Sequence, residues 1–246
     1  MNAFRIISKI DIKDNSIVKG INLEGLRKLG DPYDFAKYYY KNNIDEIILH
    51  DVTASLYGNN CLTDVISKIC KDIFIPIIVG GGIRTLKDIE KIMRSGGDRV
   101  LLNSAVVKNL NFLKNASKNF GSSNIAVNIE YSFQKNKNLI FYEYGRQITN
   151  IELYGWCKKI EDYGAGEIIL TSIDNEGTGN GFDLAILKDI TKFIKVPITV
   201  HGGFHKIDQI IKLSKLSEKI TGVALSSLLH YNYLKLKKKN NFQISK

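Results

Sequence analysis

Asp11 and Glu130 are the residues of this sequence best placed for acid–base work. Each closes a short Ile-rich run, Phe4 to Asp11 and Asn124 to Glu130. Two carboxylates facing one substrate can divide the acid and base roles, because different surroundings push their pKa values apart. A lone acid at a strand end can also cap a helix or pair with a lysine. Here both acids occupy equivalent positions of a repeat, which favours catalysis.

The second chemical signal is Ile77 to Glu90, IIVGGGIRTLKDIE. Its apolar run is too short for a buried helix and ends in Gly80-Gly81-Gly82, which fits a buried parallel strand. Thr85 with Asp88 forms a capping box, and Leu86, Ile89 and Ile92 recur at helical spacing. Glycines between a strand end and a helix N-terminus let backbone amides approach an anion. A phosphate cradle is expected, although a tight βα turn needs the same glycines.

An echo later in the chain favours the cradle. Val196 to Leu213, VPITVHGGFHKIDQIIKL, repeats the stretch, aligning Pro76 with Pro197 and Gly81-Gly82 with Gly202-Gly203. Asp45 to Leu49 aligns with Gly166 to Leu170, Val100 to Ser104 with Val223 to Ser227, and Ile10-Asp11 with Ile129-Glu130. Self-similarity this long signals a duplicated unit. Each half holds four strand-plus-helix units, so the expected fold is a single α/β domain over 1–246, a (βα)8 barrel of two half-barrels at about 1–120 and 121–240.

The elements that position the chemistry are expected as follows. Strand 1, Phe4 to Asp11, is followed by a long polar loop to Gly30, a candidate lid. Helix 1 starts at Asp31-Pro32, strand 2 covers Glu46 to Asp51, and helix 2 spans about Leu62 to Asp72. Strand 3 and helix 3 are the glycine stretch; strand 4 is Arg99 to Asn103 and helix 4 lies near Asn109 to Asn119. After strand 5, Asn124 to Glu130, the insert Tyr131 to Thr149 should form a small hairpin before helix 5, Ile151 to Tyr163. Strand 6 is Glu167 to Thr171, and a second long loop leads to helix 6 at about Asp183 to Phe193. Strand 7 (Ile198 to His201), helix 7 (Lys206 to Leu216), strand 8 (Thr221 to Leu225) and helix 8 (Ser227 to Lys238) complete the barrel.

The active site of such a barrel lies at the C-terminal strand ends. That rule gathers Asp11, Lys19, Asp51, Asn103, Ser104, Glu130, Thr171, Gly177, Thr178, Gly202, Gly203, Ser226 and Ser227 on one face. Cradles after strands 3 and 4 and after strands 7 and 8 imply two phosphate sites across the mouth, hence a substrate with a phosphate at each end.

The chain has 246 residues and a formal charge of +10. The charge would suit a phosphorylated ligand, but it is spread along a Lys/Asn/Ile-rich composition; only Lys235 to Lys239 is concentrated, and a basic tail over 235–246 is expected. Without interleaved aromatics, no nucleic-acid partner is expected. No apolar stretch reaches the roughly 18 residues of a membrane span, and no signal-peptide core follows Arg5 and Lys9, so a cytoplasmic protein is expected. Cys61, Cys70 and Cys157 suggest reduced thiols. No cofactor or metal is expected: His201 and His205 are the only close pair among the four histidines, and they read as loop residues.

Taken together, IDIKDNSIVKG, LHDVTAS, VGGGIRT, LLNSAVV, GEIILTSIDNEGT and HGG resemble, in order and over nearly the whole chain, the cyclase subunit of imidazole glycerol phosphate synthase. The resemblance implies a (βα)8 barrel that takes ammonia from a glutaminase subunit. It would convert a bisphosphorylated ribulosyl aminoimidazole carboxamide ribotide to imidazole glycerol phosphate and aminoimidazole carboxamide ribotide, in histidine biosynthesis. By position it implies Asp11 and Glu130 as the catalytic pair. One phosphate site would use Gly81, Gly82, Asn103 and Ser104, the other Gly177, Gly202, Gly203, Ser226 and Ser227. Lys19 falls on a loop lysine over the substrate. Arg5, Glu46, Arg99 and Glu167 match a charged ammonia gate at the N-terminal end, where charges otherwise form a stabilising salt-bridge ring. Asp98 falls near the glutaminase interface.

The chain departs from this family at several positions. Glu130 stands where the family has aspartate, and displacing a catalytic group by about 1 Å can cost on the order of a hundredfold. Lys9 replaces a small apolar or thiol residue, Arg99 replaces the gate's lysine, and His201 and Phe204 flank the second cradle. A paralogue modifying surface sugars with acetamidino groups, a weakly catalytic scaffold activating a glutaminase, and a sugar isomerase on the same half-barrel plan are the alternatives. Replacing Asp11 by Asn is expected to abolish turnover with the fold intact, whereas Glu130→Asp should raise the activity of a detuned cyclase.

Overall fold

The computed structural model describes residues 4–54 and 62–244; Cys61 lies outside the described residues. Eight parallel strands close into a barrel: β1 (Arg5–Lys13), β4 (Glu46–Asp51), β5 (Ile77–Gly80), β6 (Arg99–Leu102), β7 (Ile125–Gln134), β10 (Glu167–Ser172), β11 (Ile198–His201) and β12 (Ile220–Leu225). They pair in that order, and β12 returns to β1 through Arg5↔Gly222 to Ser8↔Leu225. Both faces of each strand are covered, so the strands read as apolar runs with little alternation.

The helices among the described residues are α1 (Pro32–Lys41), α2 (Thr63–Cys70), α3 (Leu86–Arg94), α4 (Ser104–Lys108), α5 (Leu110–Phe120), α6 (Leu153–Asp162), α7 (Leu184–Phe193), α8 (Ile207–Ser214) and α9 (Ser227–Ile244). Their starts follow from local chemistry. Asp31 accepts the Tyr33 amide at 2.8 Å ahead of Pro32 at the first turn of α1. At α3, Thr85 accepts the Asp88 amide at 3.2 Å, and Asp88 accepts the Thr85 amide at 2.8 Å, as the capping box requires. None of these helices is long and apolar enough to cross a membrane.

Three elements differ from the sequence reading. The presumed polar loop after β1 is a β-hairpin, β2 (Ser16–Ile21) and β3 (Glu24–Gly30), antiparallel to the end of β1. Asp14 and Asn15 both hold positive φ, 48° and 55°, the geometry of a two-residue hairpin turn, and this Asp-Asn pair was the overlooked signal. The expected helix 4 is α5, and an additional short helix, α4, precedes it; the two are separated where Asn109 takes φ −150° and caps α5 through the Asn111 amide. The lysines from Lys235 to Lys239 lie on α9, whose last turn runs to Ile244, and do not form a tail. The insert after β7 is a hairpin, as expected: β8 (Lys137–Tyr142) pairs with β7, and β9 (Gln147–Glu152) pairs with β8.

Inside the barrel, side chains point inward in tiers. Arg5, Glu46, Arg99 and Glu167 form the N-terminal tier. Above it Ile7, Ile48, Ile78, Leu101, Ala126, Ile169 and Ala224 make a separate apolar cluster, each at most 3% exposed. Lys9, His50, Asn128, Thr171 and His201 lie one inward position further along their strands, followed by Asp11 and Glu130. The apolar tier therefore insulates two polar layers from each other. Removing a fully buried side chain costs its transfer energy plus the cavity left behind. Ile48→Ala should destabilise the barrel by about 2–5 kcal/mol, read as a lowered midpoint in chemical denaturation.

Candidate functional site

At the C-terminal mouth, β1 and β7 stand opposite each other, three barrel strands apart on either side, so Asp11 and Glu130 face across the lumen. Asp11 is fully buried and ion-paired with Lys9, two residues earlier on the same inward face. Tyr144 donates its hydroxyl to Asp11 Oδ2 at 2.9 Å, His50 Nδ1 lies 3.5 Å from Oδ1, and Lys19 Nζ lies 3.8 Å from Oδ2. Burial opposes ionisation, but Lys9, the nearby His50 and Lys19 hold the Asp11 carboxyl well below its ordinary value. Asp11 is a fixed anion.

Glu130 is the opposite case. It accepts the Asn128 side-chain amide at 3.0 Å and the Gly145 backbone amide at 2.9 Å, while Thr171 donates to Asn128 Oδ1 at 2.8 Å. Burial raises its pKa, offset only in part by His50, the Gly145 amide and Lys9. Glu130 is the carboxyl disposed to carry a proton, and the two acids have the separated environments that divided roles need.

Lys19 lies on β2, not in a loop, and is ion-paired with Glu176. The hairpin is fastened to the loop after β10 through the Asn22 amide to the Glu176 carbonyl at 2.9 Å and the Asn22 side chain to the Ile173 carbonyl at 2.7 Å. Lys19 is thereby held over the mouth. Tyr144, in the turn between β8 and β9, takes φ 59°, an unfavourable conformation for a bulky residue, and its ring lies 5.6 Å from Lys9 Nζ.

Two cavities open beside this network. The first, about 290 Å³, is lined by Gly81, Gly82, Asn103 and Ser104 together with His50, Glu130 and Tyr144. Asn103 has both side-chain polar atoms buried without a partner among the described residues, and Arg84 and Lys108 supply positive charge at the wall. The second, about 270 Å³, is lined by Gly177, Gly202, Gly203, Ser226 and Ser227 with Glu176, His201 and Lys235. It adjoins the start of α9, whose first amides lack intrahelical partners. Glycine is dictated at both cradles: a Cβ on Gly81 (φ +102°) would lie 2.2 Å from the Asp51 carbonyl oxygen, and one on Gly203 (φ +99°) 2.0 Å from that of Gly181.

The remaining expected residues sort by contact. Asp51 lines the first cavity, but its carboxylate caps the following turn through the Thr53 and Ala54 amides, each at 2.9 Å. Thr171 reaches neither cavity and acts on Asn128. Ser226 Oγ lies 3.3 Å from His230 Nε2, whose Nδ1 meets the Tyr39 hydroxyl at 2.5 Å. His201, read as a loop residue, is the buried last residue of β11, whereas His205 is exposed. His50, Tyr144, Glu176 and His230 were missed. The Tyr144-Gly145 turn and the inward register of His50 one position before Asp51 were the available signals.

At the other end of the barrel, Arg5 bridges Glu46 and Glu167 at 2.6 Å each, and Arg99 meets Glu167 at 2.5 Å and Glu46 at 3.6 Å. Burial raises the Glu46 carboxyl, whereas for Glu167 the two guanidiniums and Thr199 outweigh burial and lower it. Asp98 is exposed at the same end and accepts the Ile77 amide at 2.8 Å.

A family model described as "Histidine biosynthesis protein" matches residues 5–235. The chain belongs to the histidine biosynthesis protein family. Its relatives include proteins named imidazole glycerol phosphate synthase subunit HisF. The one from Legionella pneumophila is 39% identical, covering 85% of this chain and 99% of its own length. That from Methanocaldococcus jannaschii is 39% identical (92% and 90%), and that from Sulfurisphaera tokodaii 34% identical (100% and 98%). Lys9 enters the ion network of the mouth itself.

That network bears on the expectation that Asp11→Asn leaves the fold intact, because the variant leaves the buried Lys9 ammonium without its carboxylate partner, while Lys19 keeps Glu176. Breaking a buried pair by removing one partner costs about 3–5 kcal/mol. Asp11→Asn should lower stability by that order at neutral pH, and the double change Lys9→Met/Asp11→Asn should recover part of it. Because the folded-state pKa of Asp11 is depressed, its contribution is present above the ordinary value of 3.8 and lost as pH falls through the lower folded value. The gap between wild type and Asp11→Asn should therefore close in acid, as denaturation midpoints across pH would show.

Proposed function

We propose that the chain is the cyclase subunit of an imidazole glycerol phosphate synthase. It uses glutaminase-derived ammonia to convert the bisphosphorylated ribulosyl aminoimidazole carboxamide ribotide to imidazole glycerol phosphate and aminoimidazole carboxamide ribotide. Carrying this reading is the pair of glycine-walled cavities flanking one pair of unequal carboxyl groups, in a chain of the histidine biosynthesis family. A substrate with a phosphate at each end spans such a mouth, each phosphate meeting backbone amides and the cations at the cavity walls.

In this reading Glu130 is the proton carrier for ring closure and for loss of the departing ribotide. It borders the first cavity, and burial keeps it protonated to higher pH than an ordinary glutamate. Asp11 acts as a permanent anion that fixes Tyr144, Lys9 and Lys19 and stabilises positive charge developing on the reacting nitrogen. Lys19, on its docked hairpin, reaches over the substrate.

Ammonia would enter at the opposite end. The ring of Arg5, Glu46, Arg99 and Glu167 is the proposed gate, and the apolar tier above it admits neutral ammonia while excluding ammonium, whose desolvation is costly. The exposed Asp98 beside that ring belongs to the surface where a glutaminase subunit would dock. The chain's relatives are themselves named as subunits, which supports a heteromeric assembly.

The deciding experiment is turnover of the ribotide by the purified protein with excess ammonium salt, which removes any need for a glutaminase. Loss of substrate absorbance at a rate saturable in ribotide is expected; binding without turnover overturns the cyclase reading. Glu130→Gln should lower kcat by about 10²–10⁴ with little change in KM, since general acid–base catalysis contributes that much.

A further inference from the structure

The second cavity holds a hydrogen-bond acceptor with no donor. His201 Nδ1 lies 2.9 Å from the Ala224 carbonyl oxygen, which can only accept, so Nδ1 carries the proton and the lone pair of neutral His201 sits on Nε2. That nitrogen is buried and has no hydrogen-bond partner among the described residues; Glu176 Oε1, 3.9 Å away, is itself an acceptor. Protonating the ring to meet Glu176 is opposed by burial and by the ammonium groups of Lys9 and Lys19, which hold His201 down at about 3. A buried acceptor facing a second acceptor is costly unless a donor comes between them.

His201 is 2% exposed, immediately precedes Gly202-Gly203 and lines the same cavity as Gly177, Ser226 and Ser227. A phosphate held by those backbone groups brings the carbon chain of its ester beside the imidazole. We infer that His201 is a specificity-determining residue of the second cavity, accepting a hydrogen bond through Nε2 from a hydroxyl group close to the bound phosphate. The ligand class is a polyol or sugar phosphate, as opposed to a simple alkyl phosphate. A site built to bond a hydroxyl rejects the analogue lacking it, because the buried acceptor is then left unpaired. The inference rests on the cyclase reading for the identity of the bisphosphate and deepens it by giving His201 a contact with a hydroxyl of the ligand in this cavity. It does not depend on turnover.

The test is an NMR titration of the full chain with glycerol 3-phosphate and with n-propyl phosphate, esters that differ by two hydroxyl groups. The amides of Gly203 and Ser227 report the second cavity, and those of Gly82 and Ser104 report the first. The wild type should bind glycerol 3-phosphate about tenfold more tightly at the second cavity, the scale of one well-made hydrogen bond. His201→Leu, which removes the acceptor at similar volume, should lose that preference by weakening glycerol 3-phosphate while propyl phosphate affinity stays the same. That unchanged affinity also shows that the variant is folded. His201→Gln, which returns an acceptor near the Nε2 position, should restore part of the preference. Equal affinity for both esters in the wild type, a preference surviving in His201→Leu, or no binding of either ester at the second cavity would each overturn the inference. A chain that turns over no ribotide but shows the preference would fail the cyclase reading and leave the role of His201 standing.

Discussion

The mouth of this barrel depends on one buried ion cluster. Asp11 lies in a site without solvent, where an isolated carboxylate would be strongly disfavoured, and it stays ionised because Lys9 and Lys19 accompany it. Lys19 is in turn neutralised by Glu176, so the cluster carries two positive and two negative charges and no net charge. Its members come from β1, the β2–β3 hairpin and the loop after β10. Electrostatics thus fastens the hairpin across the mouth, with Asn22 adding backbone bonds to the same loop. Apolar packing alone would not fix that placement, because hydrophobic contact is non-directional whereas charge-assisted hydrogen bonds set position.

The same cluster sets the protonation states available for chemistry. A carboxylate held by two ammonium groups is a poor proton acceptor, while Glu130, bonded only to neutral donors, has its proton affinity raised by burial. His201 and His230 are both held neutral, each at about 3, by burial and the nearby lysines. The mouth therefore offers one carboxyl held down by ammonium groups, one carboxyl held up by burial, and the neutral imidazoles of His201 and His230. The strained Tyr144 turn joins this arrangement to the first cavity, since its ring borders the cavity and its hydroxyl bonds Asp11.

At the far end of the lumen, the ring of two arginines and two glutamates is balanced in the same way but reaches solvent, with the Arg5 side chain 27% exposed. The apolar tier between ring and mouth separates two charge clusters that would otherwise perturb each other through a low-dielectric interior.

The sequence by itself determined the barrel. Alternating apolar runs and helical periodicities, the paired GG turns and the internal repeat all reflect local backbone preferences and burial on both strand faces, and these are written residue by residue. It also placed Asp11, Glu130 and the glycine turns that wall the two cavities at the mouth, because strand ends follow from strand register. Tertiary structure alone decided which groups meet. Lys9 was visible as a departure, but its pairing with Asp11 depends on the inward register of β1 within a closed barrel. Lys19 with Glu176 and Tyr144 with Asp11 join residues more than a hundred positions apart. Whether a carboxyl is a fixed anion or a proton carrier depends on desolvation and on the charges packed around it, and those quantities exist only once the chain has folded.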